Sequence, residues 1–157
     1  MPETLIRLEG VTKKFGATVA LDDLSLAVPE GSVCGLLGPN GSGKTTAIRI
    51  LLGLAGMNSG TASLLGARPG GPGFTEAVRQ TGSLIEGPAL YGRATARQNM
   101  QIQAATLGLA DAGAEIDDLL ELVDLGDRAD SNARTFSLGM KPRPGLAISL
   151  PGKPRLV

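Results

Sequence analysis

Histidine and tryptophan are absent from all 157 residues, and three phenylalanines and one tyrosine are the whole aromatic content. Any mechanism that needs an imidazole is therefore closed to this chain alone. The single cysteine, Cys34, excludes an intrachain disulfide; set in the apolar stretch SVCGLLG, it reads as a small buried thiol in a reducing cytosol. No apolar stretch approaches the roughly 20 residues that span a bilayer. The opening MPETLIRLEG carries an acid early and no basic leader, and does not read as a signal peptide. If the protein serves a membrane, another chain or segment must supply the span. Fifteen Lys and Arg balance fifteen Asp and Glu, so no basic field argues for nucleic acid as a partner. The length suits one domain with a single core.

Glycine and proline, by contrast, are plentiful, at 23 and 10, and they punctuate a readable order of elements. TLIRLEGV (4–11) and ATVALDDLSLAV (17–28) predict two strands with partial alternation, joined by a turn around KKFG. PEG at Pro29 to Gly31 predicts a second turn, and SVCGLLG after it a short strand buried on both faces. The Gly-rich GPNGSGK leads into TTAIRILLGLAG, where Ile48, Leu51, Leu52 and Ala55 recur at helical spacing. NSGTASLLG predicts another strand, ARPGGPGF a loop, and RQTGSLIE a short strand ending at Glu86. Thr95, with Gln98 three residues on, spells a capping box for a helix ARQNMQIQAATLG. EIDDLLELVDLG predicts the next helix, with Ile116, Leu119, Leu120 and Val123 on one face.

The stretch GPNGSGKTT, Gly38 to Thr46, satisfies G-x-x-x-x-G-K-[ST] with Gly38, Gly43, Lys44 and Thr45 at the required positions and Pro39, Asn40, Gly41 and Ser42 between them. Glycines let the backbone curl until consecutive N–H groups point at phosphate oxygens, and the helix that starts there adds its positive dipole end. In this motif Lys44 reaches the β- and γ-phosphates, Thr45 holds Mg²⁺ and Thr46 adds a hydroxyl near the α-phosphate. An apolar run before the loop and a periodic helix after it are the context that separates the motif from a chance glycine turn. ATP and Mg²⁺ are the cofactors expected.

With that loop in place, VTKKFG, LLGPNGSGKTT, GSLIEGPALY and TFSLGMK stand in the order and approximate spacing found in the ATP-binding subunits of ABC transporters. The chain resembles that family over essentially its whole length. Within it the chain looks most like exporters of the bacitracin and lantibiotic-resistance type, where a Glu commonly replaces the Gln of one loop. The resemblance implies an α/β fold of the P-loop NTPase class: an ABC-type nucleotide-binding domain with its core in 1–85, its Q-loop and helical subdomain in 86–137, and its signature segment in 137–157. It implies that Phe15 stacks on adenine. It implies that Glu86 stands in the loop that senses Mg²⁺ or the attacking water and faces the membrane subunit. Ser137 and Gly139 match the signature residues that close over the γ-phosphate held by the other subunit. A Ser at a helix N-cap followed by Gly exposes free N–H groups to an anion, which suits that role; Leu138 and Met140 depart from the commonest spelling. The implied partners are a second ATP-binding subunit packed head to tail and a membrane-spanning permease, with the protein peripheral on the cytoplasmic face.

Two features weigh against a working ATPase. In the family an apolar strand ending in Asp and then Glu follows the signature helix and pairs beside the strand of SVCGLLG, and a later loop supplies a His. Here PRLV looks like the first residues of that strand, and none of the three is present. The resemblance thus implies an N-terminal portion of the domain, in which nucleotide binding survives better than turnover. The second feature is proline. Counted from an N-cap at Ser137, Pro142 and Pro144 fall beyond the first turn, at a cost of roughly 3 kcal/mol apiece. Pro151, in the last turn, and Pro154 beyond it are in ordinary places. A non-catalytic module that pairs with an intact cassette, and a P-loop kinase or GTPase, are the rival readings; the segment Thr135 to Lys141, far beyond Lys44, favours the ABC reading over the latter.

Overall fold

Alternating apolar residues first build a hairpin. The computed structural model describes residues 2–85, 87, 90–137 and 142–157. In it β1 (Thr4–Phe15) turns through Gly16 and Ala17 into β2 (Thr18–Pro29), and β3 (Ser59–Leu64) adds to the other edge of β1. The sheet is antiparallel throughout, in the order β2-β1-β3. Gly60 is obligatory at the start of β3, because a Cβ there would stand 2.5 Å from the Gly10 carbonyl oxygen. Helix α1 (Lys44–Leu51) lies on one face and buries Ala47, Ile50 and Leu51 against Leu8, Val11, Leu21 and Ala62. The sequence places the contact at Ile48, Leu51, Leu52 and Ala55, but Ile48 is exposed. The reason is length: α1 stops at Leu51, its cap Leu52 leaves helical geometry, and the sheet meets the 47/50/51 stripe of so short a helix.

The strand expected over SVCGLLG does not form. Residues 32–37 lie in no strand, and Val33, Cys34 and Leu37 are exposed. A strand buried on both faces needs neighbours to take its backbone N–H and C=O groups. Among the described residues no strand pairs with this one. The thiol of Cys34 is correspondingly open to solvent rather than buried.

A short helix, α2 (Phe74–Arg79), follows the Gly- and Pro-rich loop. The chain divides into two compact units, 1–78 and 79–157. The second is helical: α3 (Ala96–Leu107), α4 (Gly113–Leu122) and α5 (Pro142–Ser149) enclose Met100, Ile116, Leu120, Leu125, Phe136 and Ala147. The capping box forms as spelled, with Gln98 N–H donating to Thr95 Oγ1 at 3.1 Å and Thr95 N–H to Gln98 Oε1 at 2.9 Å. Ile116, Leu120 and Val123 are buried as their spacing predicts, with Leu119 packed beside them. Arg97 binds Asp117 and, at 3.2 Å, Asp130, tying α3 to α4 and to the loop after it. The Asp117 carboxylate, and then Asp130, hold its guanidinium above the ordinary pKa. Among the described residues no helix is long and apolar enough to cross a membrane.

RQTGSLIE is likewise not a strand in its own right. Among the described residues its only ladder is a parallel bridge from Thr81 to Leu156, with Gly82 N–H donating to the Leu156 carbonyl at 2.8 Å and Arg155 N–H to that of Gln80 at 2.9 Å. The segment PRLV therefore does begin to pair, with residues 80–82. Gly82 is needed there because a Cβ would meet the Ser149 carbonyl oxygen at 2.0 Å.

The prolines also read differently in three dimensions. Among the described residues the last helix begins at Pro142, so Pro142 and Pro144 are its first and third residues. The first four N–H groups of a helix have no intrahelical acceptor, so a proline there removes no hydrogen bond, and proline's fixed φ suits a helix start. Residues 138–141, ahead of Pro142, lie outside the described residues. Pro144 is a buried member of this helix, and Pro151 lies past its end at Ser149. Replacing the exposed Pro142 by Gln should move the denaturant midpoint by less than about 1 kcal/mol equivalent, against the roughly 3 kcal/mol gain that an interior proline predicts. A gain of the larger size in an unfolding titration would restore the interior reading.

Candidate nucleotide site

The first unit carries the phosphate-loop motif where β2 and α1 meet. Gly41 and Gly43 hold φ of 81° and 89°, conformations that only glycine adopts without strain. Gly43 is the N-cap of α1 and packs against β2 so closely that a Cβ would lie 2.3 Å from the Ala20 carbonyl oxygen and 2.6 Å from the Leu21 side chain. Gly38 closes the other end, where a Cβ would fall 2.7 Å from Ser42 Oγ. Ser42 N–H donates to the Pro39 carbonyl at 3.2 Å and tightens the curl. Residues 38–42 are exposed, while Lys44, Thr45 and Thr46 are half-buried in the first turn of α1. The Lys44 ammonium folds back over the loop, donating to the carbonyls of Gly38 at 2.8 Å and Pro39 at 2.7 Å and to Ser42 Oγ at 3.3 Å.

This arrangement fits an anion. A cation sits at the mouth of an exposed backbone curl, a helix N-terminus opens beneath it, and added Cβ atoms at Gly38 or Gly43 would collide with the loop or its support. All nine residues from Gly38 to Thr46 are thus gathered by local chain geometry. Phe15, at the end of β1 in the same unit, is 55% exposed rather than packed under its turn.

The remaining expected residues belong to the second unit. Ser137 is exposed and follows the buried Phe136 and a short 3₁₀ turn, Ala133–Thr135. Glu86, Gly139, Leu138 and Met140 lie outside the described residues, and so does the stretch over which Ser137 was expected to act as an N-cap. Sequence reasoning missed Asn99. Its side chain is 3% exposed; Oδ1 accepts from Tyr91 N–H at 2.8 Å while Nδ2 donates to the carbonyls of Tyr91 at 3.2 Å and Thr95 at 2.8 Å. It clamps the approach to α3. The available signal was a polar residue beside the apolar positions Ala96 and Met100 of that helix.

The curl, its lysine and the helix that follows define a P-loop nucleotide-binding domain. A family model described as ABC transporter matches residues 21–157, and the chain belongs to that family. The bacitracin transport ATP-binding protein BcrA of Bacillus licheniformis is 39% identical over 98% of this chain and 50% of its own length. The lantibiotic transport ATP-binding protein SrtF of Streptococcus pyogenes is 35% identical over 98% of this chain and 64% of its own. YdbJ of Bacillus subtilis, an uncharacterized ABC transporter ATP-binding protein, is 36% identical over the whole chain. The chain spans about half the length of the curated relatives it matches. Among solved structures, one described as an ATP-binding subunit of an ABC transporter superposes with a TM-score of 0.81 at 30% identity, over 92% of this chain and 61% of that one. CbiO1 of Clostridium perfringens, at 21% identity and a TM-score of 0.80, shares the fold. The fold is therefore that of an ABC ATP-binding domain, present in part.

Proposed function

We propose that this chain is the nucleotide-binding portion of an ABC transporter ATP-binding subunit that couples ATP to export of a small molecule or peptide. The observation that carries the reading is the curl from Gly38 to Thr46 with the Lys44 ammonium at its mouth. Lys44 would exchange its loop carbonyls for β- and γ-phosphate oxygens, and the loop N–H groups would line the β-phosphate. The Thr45 hydroxyl would hold Mg²⁺ and Thr46 would serve the α-phosphate, while the family resemblance gives Glu86 the role of sensing that ion. Held there, Mg²⁺ would supply charge neutralisation to the polyphosphate. Phe15 would stack on the base. Similarity to bacitracin and lantibiotic transport proteins supports export as the task. On this reading Ser137 and Gly139 act on the γ-phosphate of a second ATP-binding subunit, and a permease at the cytoplasmic face of the membrane supplies the transport path.

Calorimetric titration tests the phosphate cradle. MgATP should bind at least about tenfold more tightly than AMP, since one or two extra charge-assisted contacts suffice for that ratio. Equal affinity for the two nucleotides would mean that the loop does not read a polyphosphate.

A further inference from the structure

Phe15 has a partner on its own strand. Alternation along β1 puts Lys13 and Phe15 on one face, and the Lys13 ammonium stands over the ring, 4.8 Å from its centroid. The end of this strand is irregular: its pairing with β2 shifts register between Val11 and Lys13 and again between Lys13 and Lys14. Irregularities of that kind re-aim side chains. Asn58 fixes the same stretch from the opposite edge, donating its N–H to the Thr12 carbonyl at 2.8 Å and accepting from Lys14 N–H at 2.7 Å through Oδ1. The backbone that carries the pair is thus held on both sides. Neither Lys13 nor the Phe15 ring is committed elsewhere: among the described residues Lys13 makes no ion pair, and the ring is more than half exposed.

We infer that Lys13 is a positioning residue of the nucleotide site: its ammonium covers one face of Phe15, holds the ring in one orientation, and leaves the opposite face as the surface on which a purine stacks. The inference rests on the base-stacking role proposed for Phe15. A ring on an exposed strand end otherwise samples several staggered rotamers, and the ligand bears the ordering cost. An ammonium over the face removes that freedom before binding. Lys13 then acts on affinity through the ring and contributes nothing to the grip on phosphate.

The test compares ATP with inorganic tripolyphosphate, both with Mg²⁺, on the full chain and on variants at the half-buried Lys13 and the exposed Phe15, neither of which belongs to the core. Lys13→Met should weaken ATP about two- to fivefold, the size of an exposed cation–π contact, and leave tripolyphosphate unchanged. Lys13→Arg should restore ATP binding, because a guanidinium also stacks on an aromatic face. In a Phe15→Leu background, Lys13→Met should have no further effect. An equal loss for tripolyphosphate would make Lys13 a direct phosphate contact and overturn the inference, as would an undiminished effect in the Phe15→Leu background. If Phe15→Leu itself leaves ATP unchanged, the stacking reading fails and Lys13 falls with it; if Phe15→Leu weakens ATP while Lys13→Met does not, only the Lys13 inference fails. A ligand-free arm uses 4-fluorophenylalanine, which labels three positions. Lys13→Met should shift the fluorine resonance assigned to Phe15, and an unmoved resonance would overturn the contact.

Discussion

Lys44→Ala should lower MgATP affinity by about a hundredfold while leaving the unfolding midpoint within about 1 kcal/mol equivalent of the parent. The two halves of that expectation have separate causes. The ammonium stands at the mouth of the curl, and charge-assisted hydrogen bonds to phosphate contribute about 1.5–3 kcal/mol each. Losing one or two of them amounts to roughly two decades in the dissociation constant. In the free protein its three partners, the carbonyls of Gly38 and Pro39 and Ser42 Oγ, lie on exposed residues. Water replaces the ammonium there at little cost to the fold. Lys44→Arg should recover only part of the affinity, because a planar fork does not fit the space of a compact ammonium. Titration calorimetry and urea unfolding on the same preparations decide the matter; unchanged ATP affinity in Lys44→Ala would remove the loop from the site.

Gly43→Ala should be the most damaging single methyl in the loop. Its φ of 89° costs an L-residue about 1–2 kcal/mol, and its Cβ would sit 2.3 Å from the Ala20 carbonyl oxygen, so β2 or the start of α1 must also move. A loss of about 3 kcal/mol or more in urea unfolding is expected, together with weaker ATP binding as the curl opens. Gly41→Ala is the internal control. Its φ of 81° carries a similar conformational cost, yet nothing lies within 4 Å of the added methyl. Only about 1–2 kcal/mol should be lost there. Equal losses at the two positions would show that the approach of the loop to β2 does not limit the substitution.

Much of the geometry of the candidate nucleotide site was legible because it is local. A curl of nine residues, a helix that opens on its lysine, and a Thr/Gln capping box all depend on atoms a few bonds apart, so spelling and geometry coincide. The β1–β2 hairpin was legible from its alternation, but the turn expected around KKFG was misplaced: Lys13, Lys14 and Phe15 pair within the ladder, and only Gly16 and Ala17 turn. Ile116, Leu120 and Val123 followed from period alone, because α4 is long enough to show a face.

Other features depended on partners that no local pattern names. SVCGLLG has the composition of a buried strand, but burial is a property of the strands and layers beside it, and without them the same residues stand exposed. The effect of Pro142 and Pro144 depends on where the helix begins, which no local pattern names: in a first turn a missing N–H costs nothing, whereas one turn later the same ring breaks a bond. The clamp of Asn99 on Tyr91 and Thr95, and the seating of Lys13 over Phe15 on a strand end held by Asn58, arise from backbone positions set by tertiary pairing. The sequence by itself determined the Gly38–Thr46 curl, the caps and the periodic faces, because short-range geometry decides them. Which apolar runs are buried, which prolines are tolerated and how the exposed aromatic is aimed were decided only in the folded chain, where distant backbone groups supply or withhold the partners.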